Sequence, residues 1–186
     1  MDNGAENYRR FLEGDNEGLK GLVDDYYKGL CLYLNLFLHN LDDAEEIAEE
    51  TLYILITERP VYNGRSSFKT WLYAIGRNTA IKYIRKRSRE TAVPEQIGAE
   101  NADASAEAER EVLKRERDRL LRKGLASLPE DYRQVLWLRY YEEMDTKSIA
   151  GVMHKTVHSV EHLLRRAKEA LRKELGKEGI TDAEFG

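Results

Sequence analysis

The sequence predicts an all-α chain: two small helical domains joined by a flexible acidic linker. Three observations predict it. Apolar residues recur at three- and four-residue intervals through most of the chain, the spacing that lines one face of a helix. Proline occurs only 3 times in 186 residues, while 34% of residues are charged and 41% hydrophobic, a mixture rich in helix formers and sufficient to build cores. Between residues 88 and 111 the large apolar residues nearly vanish in favour of Ala, Glu, Asp and Ser, with Pro94 and Gly98. Such a segment buries too little surface to offset the entropy of ordering. The predicted divisions are residues 1–88, a linker over 89–111, a second domain over 112–176 and a frayed tail over 177–186.

Each element has its own signal. Leu19, Leu22, Val23, Tyr26 and Tyr27 exemplify a periodicity that predicts two or three packed helices between residues 8 and 59. Asp42 or Asp43 is expected to cap the helix running to about residue 58, with Pro60 just beyond it. Residues 61–67, containing Asn63-Gly64, form a loop, and Ser66 or Ser67 is expected to cap the next helix, which runs to about residue 87. After the linker, a helix is predicted over 112–127. Pro129 is expected in the first turn of another that continues to Tyr140. Residues 146–153 and 156–175 carry two further helical patterns.

The formal net charge of −4 conceals strong segregation. Residues 1–60 hold five Lys/Arg against fourteen Asp/Glu, residues 61–89 eight against none, residues 90–111 one against seven, and residues 112–186 sixteen against thirteen. The all-positive block is a candidate phosphate binder, because neutralised phosphates release counterions; the acidic flanks call for a basic partner. Cys31 is the single cysteine, which excludes an intrachain disulfide and predicts a buried thiol in a reducing compartment. The longest apolar run, near residues 30–38, falls short of the roughly 18 residues a spanning helix needs. With no signal-peptide succession at the start, the expected location is the cytoplasm.

On the helix after the loop, Trp71, Asn78, Lys82, Arg85 and Arg89 are 7, 4, 3 and 4 residues apart and form one stripe, with Lys86 beside it. Leu72, Gly76, Ala80 and Tyr83 occupy the other side and suit packing. An aromatic, an amide and a row of cations fit a nucleic acid with exposed bases. A solvated basic face with Trp71 in the core is the plainer alternative.

Residues 149–160 combine a short apolar helix, a tight turn and a capped longer helix, a helix-turn-helix pattern. Val157, Val160, Leu164, Ala167 and Leu171 give the second helix a buried face, and His158, His162, Arg165 and Arg172 the opposite one. Lys155, Thr156, His158, Ser159 and His162 are placed to meet bases or phosphates of a duplex, with Arg165 and Arg166 on its backbone. A plain helical hairpin would show the same spacing. His158 and His162, four apart, have a metal-binding spacing, but no partnered His-Glu motif or second cysteine joins them, so no metal is expected. The acidic run Asp42, Asp43, Glu45, Glu46, Glu49 and Glu50 fits a solvated or docking face better than catalysis, which needs sheltered carboxylates. No phosphate-cradling Gly-rich loop or nucleophilic constellation is present, so neither an enzyme nor a cofactor is expected.

Three strings in this order resemble the sigma-70 family of RNA polymerase sigma factors, specifically its compact extracytoplasmic-function group. Residues 43–52, DAEEIAEETL, look like region 2.2, and residues 67–81, SFKTWLYAIGRNTAI, like regions 2.3 and 2.4. Residues 128–136, LPEDYRQVL, with the helix-turn-helix and Arg166-Ala167-Lys168, look like region 4. The resemblance spans nearly the whole chain. It implies that Asp43, Glu45, Glu46, Glu49 and Glu50 bind the clamp helices of the largest polymerase subunit. It further implies that Asn63, Arg65, Ser66, Lys69, Trp71, Arg77, Asn78, Lys82, Arg85, Lys86 and Arg89 hold the melted nontemplate strand of the minus-ten element, with a flipped base in the loop at residues 62–66. Lys155, Thr156, His158, Ser159, His162, Arg165 and Arg166 would bind the double-stranded minus-thirty-five element, and region 4 would also meet the flap tip. The acidic linker would run through the polymerase's template and RNA channel. An anti-sigma factor is an expected partner, free in the cytoplasm or holding the chain at the membrane. Glu49, Lys82, His154 and Glu161 depart from the usual Gln, Asp, Gly and basic residue. A sigma-like decoy and an ordinary duplex-binding repressor or activator are the competing classes; the first leaves the basic stripe without a role, the second the acidic helix.

Overall fold

Helices account for most of residues 3–90 and 124–177, which the computed structural model describes. In chain order they are α1 (Gly4–Leu12), α2 (Asn16–Leu38), α3 (Leu41–Thr57) and α4 (Phe68–Glu90), then α5 (Glu130–Tyr140), α6 (Thr146–Met153) and α7 (Val157–Lys177). Residues 124–126 are also helical. The remainder of the predicted linker, most of the helix predicted over 112–127, and the tail beyond Lys177 lie outside the described residues.

Short polar side chains set the helix starts. Asp15, Ser67, Asp145 and Thr156 accept from the backbone N–H groups of Glu17, Thr70, Ser148 and Ser159, each cap contributing about 1 kcal/mol. The hydrogen bond from Ser148 holds the Asp145 carboxyl below the usual carboxylate range. For α3 the expected cap is corrected: Asn40, with φ −147° and ψ 122°, accepts from the Asp43 N–H at 3.0 Å. A cap needs non-helical backbone, and Asp42 and Asp43 already lie inside the first turn, where their charges favour the positive end of the helix dipole. Pro129 is likewise shifted by one, standing at the cap with Glu130 as the first helical residue. Both α4 and α7 run slightly longer than predicted, so α4 takes the first two residues assigned to the linker.

The first four helices bury Tyr8, Leu22, Leu30, Leu34, Ile47, Leu55, Phe68, Leu72 and Tyr73 together. At the contact between α1 and α2, a Cβ on Gly18 would collide with the backbone of Asn7 and Phe11, so only glycine allows that approach. The Tyr8 hydroxyl donates to the Pro60 carbonyl at 2.9 Å, tying α1 to the start of the loop. Cys31 is buried as predicted, and burial pushes its thiol pKa up. The last three helices close over Val135, Leu138, Ile149, Val152, Val160 and Ala167. Val157, predicted to join them, is 43% exposed, because it opens the first turn of α7, ahead of Val160, the first residue of that helix to reach the core. No helix among the described residues is long and apolar enough to cross a membrane.

Candidate nucleic-acid interface

The loop before α4 is organised by local hydrogen bonds. Asn63 accepts from the Arg65 N–H through its side-chain oxygen, and the Tyr62 hydroxyl donates to the Ser66 carbonyl. Gly64, at φ 69°, supplies the left-handed residue that turns the chain. Asn63, Arg65 and Ser66 are thereby left exposed on one tight turn. Behind them, Trp71 joins Tyr8, Tyr62 and Phe68 at centroid distances of 5.2–5.5 Å. Trp71 is partly buried, so it serves the aromatic cluster while keeping some surface.

Further along α4 the cations separate by face. Lys82, Arg85, Lys86 and Arg89 are exposed and line one open groove. Arg87 points the other way and pairs with the Asp43 carboxylate of α3, which also accepts from the Tyr83 hydroxyl at 2.9 Å. Burial and that hydrogen bond push the Tyr83 phenol up, while Asp43 raises the Arg87 guanidinium. Asp43 is therefore engaged within the chain, holding α4 against α3, whereas Glu45, Glu46, Glu49 and Glu50 stay exposed on α3. Glu46 and Glu50 share a groove with Lys82 and Lys86, so an acidic and a basic surface meet along one edge.

In the helix-turn-helix, α6 ends on His154 with φ 51°, in the left-handed region. At such a position the usual glycine would be easier. Thr156, His158, Ser159, His162, Arg165 and Arg166 are exposed at the start of α7 or along it. The His158 and His162 rings meet edge to face at 4.4 Å, and Arg165 lies 3.2 Å from His162 Nδ1. No cluster of three metal-ligating side chains occurs among the described residues. Lys155 differs from its neighbours, pairing with Asp131 of α5 at 2.9 Å.

The residues follow two family models, Sigma-70 region 2 over 22–90 and Sigma-70 region 4 over 118–171. The chain belongs to the sigma-70 family, in its extracytoplasmic-function group. It is 30% identical to the RNA polymerase sigma-H factor of Pseudomonas aeruginosa, over 89% of this chain and 90% of that one. It is 27% identical to the ECF RNA polymerase sigma factor SigW of Bacillus subtilis, over 90% and 94% respectively. The fold is shared with the sigma factor RpoE in complex with the anti-sigma factor NepR from Bartonella quintana, at a TM-score of 0.63 and 20% identity over 84% of this chain and 96% of that one. It is also shared with CnrH in complex with the cytosolic domain of CnrY, at 0.63 and 18% over 94% and 95%. The protein is thus a sigma factor that directs RNA polymerase to promoters, and its family is not one of catalysts.

Region 4 of this sigma factor lies directly against region 2, a juxtaposition the sequence does not reveal. Gln134 Oε1 accepts from both the Tyr33 hydroxyl and Arg77 Nε, each at 3.1 Å. Arg133 reaches the Leu36 carbonyl and His39. Glu142, only 8% exposed, pairs with Lys69 at 2.6 Å and accepts from Trp137 Nε1. Tyr73 also hydrogen-bonds to Glu142, and burial together with that carboxylate pushes the phenol pKa up. His154 Nε2 sits 3.0 Å from Asn78 Oδ1. Three of the predicted minus-ten residues, Lys69, Arg77 and Asn78, are thus held by region 4. Arg133 and Gln134 lie within the string LPEDYRQVL and Glu142 outside every quoted string, and none of the three signals these contacts; only the fold brings them to α2 and α4.

Proposed function

We propose that this sigma factor docks on core RNA polymerase, at the largest subunit's clamp helices, through the exposed Glu45, Glu46, Glu49 and Glu50 face of α3. Asp43 aligns that face with α4. The loop residues Asn63, Arg65 and Ser66 and the α4 residues Lys69, Trp71, Arg77, Asn78, Lys82, Arg85, Lys86 and Arg89 then hold the melted nontemplate strand of the minus-ten element. Cations along the strand and an aromatic at its start supply binding energy against an unstacking cost of a few kcal/mol. Lys155, Thr156, His158, Ser159, His162, Arg165 and Arg166 contact the minus-thirty-five duplex, and region 4 also takes the flap tip. The protein does no chemistry itself and works in the cytoplasm, under an anti-sigma factor of the kind captured with its structural neighbours.

The observation that carries this assignment is the division of α3 and α4 into an exposed acidic face and an exposed basic groove, locked together by Asp43, Tyr83 and Arg87. One chain must grip both a basic protein surface and DNA, and the two faces are adjacent. Reconstitution with core polymerase tests it. Reversing Glu45 and Glu46 to Lys is expected to weaken core binding by tenfold or more. Arg85→Ala with Lys86→Ala should leave core binding intact and lower the fraction of promoters opened. Core binding without any promoter opening by the unmodified protein would favour the decoy class instead.

A further inference from the structure

We propose that Glu161 and His162, side by side on α7, together read one C·G base pair in the major groove and so set part of this factor's upstream promoter preference. The inference deepens the assignment of α7 to the minus-thirty-five duplex and rests on it. Its carrying observation is a carboxylate where phosphate binding alone would disfavour one. Glu161 is the single acid in residues 155–166. Its side chain is 61% exposed, and its one ion-pair contact among the described residues is His158 Nδ1 at 3.9 Å, beyond hydrogen-bond reach. Arg165, one turn further on, leans instead toward Glu169 at 3.8 Å. A free carboxylate on this face repels the DNA backbone and weakens binding to every sequence, unless it meets a hydrogen-bond donor. In the major groove the base-edge donors are the amines of cytosine and adenine. Adenine carries the N7 acceptor beside its amine, which repels a second acceptor. Cytosine presents its N4 amine with no acceptor beside it, so a carboxylate selects cytosine.

His162 supplies the complementary half. Arg165 Nη2 stands 3.2 Å from His162 Nδ1. A guanidinium can only donate, so Nδ1 accepts and the neutral ring carries its proton on Nε2. His158 steadies the same ring, edge to face, with centroids 4.4 Å apart. Arg165 is thus a positioning residue for His162, fixing its tautomer as well as its direction. The outcome is an exposed N–H donor next in sequence to a group that can only accept. A C·G pair offers the matching order in the major groove, with the cytosine N4 donor beside the guanine O6 acceptor. Val160 and Ala167 are fully buried and fix the rotation of α7, so neither Glu161 nor His162 can turn into the core. Both stand within the opening turns of the helix, the part that meets base edges in a helix-turn-helix.

The test uses holoenzyme reconstituted with core polymerase and a pool of duplexes randomised over promoter length, sequenced after repeated selection. The unmodified protein should select an upstream element in which one C·G pair is preferred about tenfold over its alternatives. Glu161→Ala should erase the preference at that position alone and tighten binding to unselected duplex. Glu161→Gln should move the preference toward adenine, whose N6 and N7 together suit an amide, a redirection that a structural role would not produce. His162→Ala should relax the same position, and the double variant no further one. The proposal is overturned if both Glu161 variants return the unmodified element at every position while binding all duplexes more tightly, since the carboxylate would then only repel. Arg165→Ala with Arg166→Ala separates that failure from the failure of the assignment beneath it. If this variant loses the upstream element while the Glu161 variants keep it, α7 reads the duplex without Glu161. If it too keeps the element, α7 is not at the duplex and both readings fall.

Discussion

The two halves of α4 carry the same kind of residue and put it to different uses. In the first half, Lys69, Arg77 and Asn78 are each satisfied by a group from region 4. In the second half, Lys82, Arg85, Lys86 and Arg89 face an open groove, and only Arg87 turns inward to Asp43. The contrast separates two energies that a charge count merges. A cation held against a sheltered carboxylate contributes to the arrangement of the chain, whereas an exposed one contributes almost nothing to folding and is available to a ligand.

Breaking the first half has the larger expected effect on stability, and the effect should be lopsided. The Glu142 side chain is 6% exposed and the Lys69 side chain 30%. Lys69→Ala therefore strands a dry carboxylate, with an expected loss of about 2–4 kcal/mol, limited by the free energy at which region 4 lifts away and lets Glu142 hydrate. Glu142→Ala strands a partly hydrated ammonium and should cost about half as much. The double variant should be more stable than Lys69→Ala alone. Urea unfolding of the three variants, read by helical circular dichroism and by tryptophan fluorescence, checks this. Equal losses for the two single variants would mean that the pair is wet on both sides.

The second half should behave in the opposite way. Lys82→Ala with Arg89→Ala is expected to shift stability by less than about 0.5 kcal/mol for each substitution. Each removed phosphate contact should lower the salt slope of single-strand binding by about 0.7, so the pair should flatten it by about 1.4. A titration of the strand at several salt concentrations measures the slope. A large stability change with no change in slope would place these cations in the fold and not at the ligand.

The difference between the halves explains what was legible beforehand. Helix positions followed from the periodicity of residues such as Val160 and Ala167, and the start of α4 from Ser67, because these signals are local in sequence. The cap of α3 was misplaced because Asn40 and the two following acids are all competent, and only backbone geometry chooses among them. The exposed stripe of Lys82, Arg85 and Arg89 was visible for the same reason as the helices, being a property of one element. Asp43 could be placed on an acidic helix but not paired with Arg87, 44 residues away, nor could Gln134 be paired with Tyr33 across 101 residues. Glu142 follows no motif at all. Contacts between elements depend on how two packed units meet, and single-element periodicity holds no information about that.

The smallest expected effect lies at the rim of the same contact and concerns pH. His39 ends α2 with φ 54° and its Nε2 stands 3.0 Å from an Arg133 Nη. For that contact the ring nitrogen must be the unprotonated acceptor. Partial burial and then the Arg133 charge hold the His39 pKa below the ordinary imidazole value, with Glu130 opposing them. At pH above the ordinary value both folded and unfolded chains carry the neutral ring, and the full stability is present. As pH falls through the ordinary value toward the lowered folded one, the unfolded chain takes up the proton more readily, so stability is lost. His39→Asn tolerates the left-handed backbone and cannot titrate. It should therefore lose less stability than the unmodified protein between pH 7.5 and 5.5, by a small margin that this window isolates, because carboxylate pairs such as Asp15 with Arg10 keep their contribution until the pH falls into the ordinary carboxylate range. Paired thermal unfolding curves at the two pH values give the margin. An identical loss in both proteins would show that Arg133 is held by the Leu36 carbonyl and its own domain's carbonyls alone, leaving the contact between regions 2 and 4 insensitive to acid at this edge.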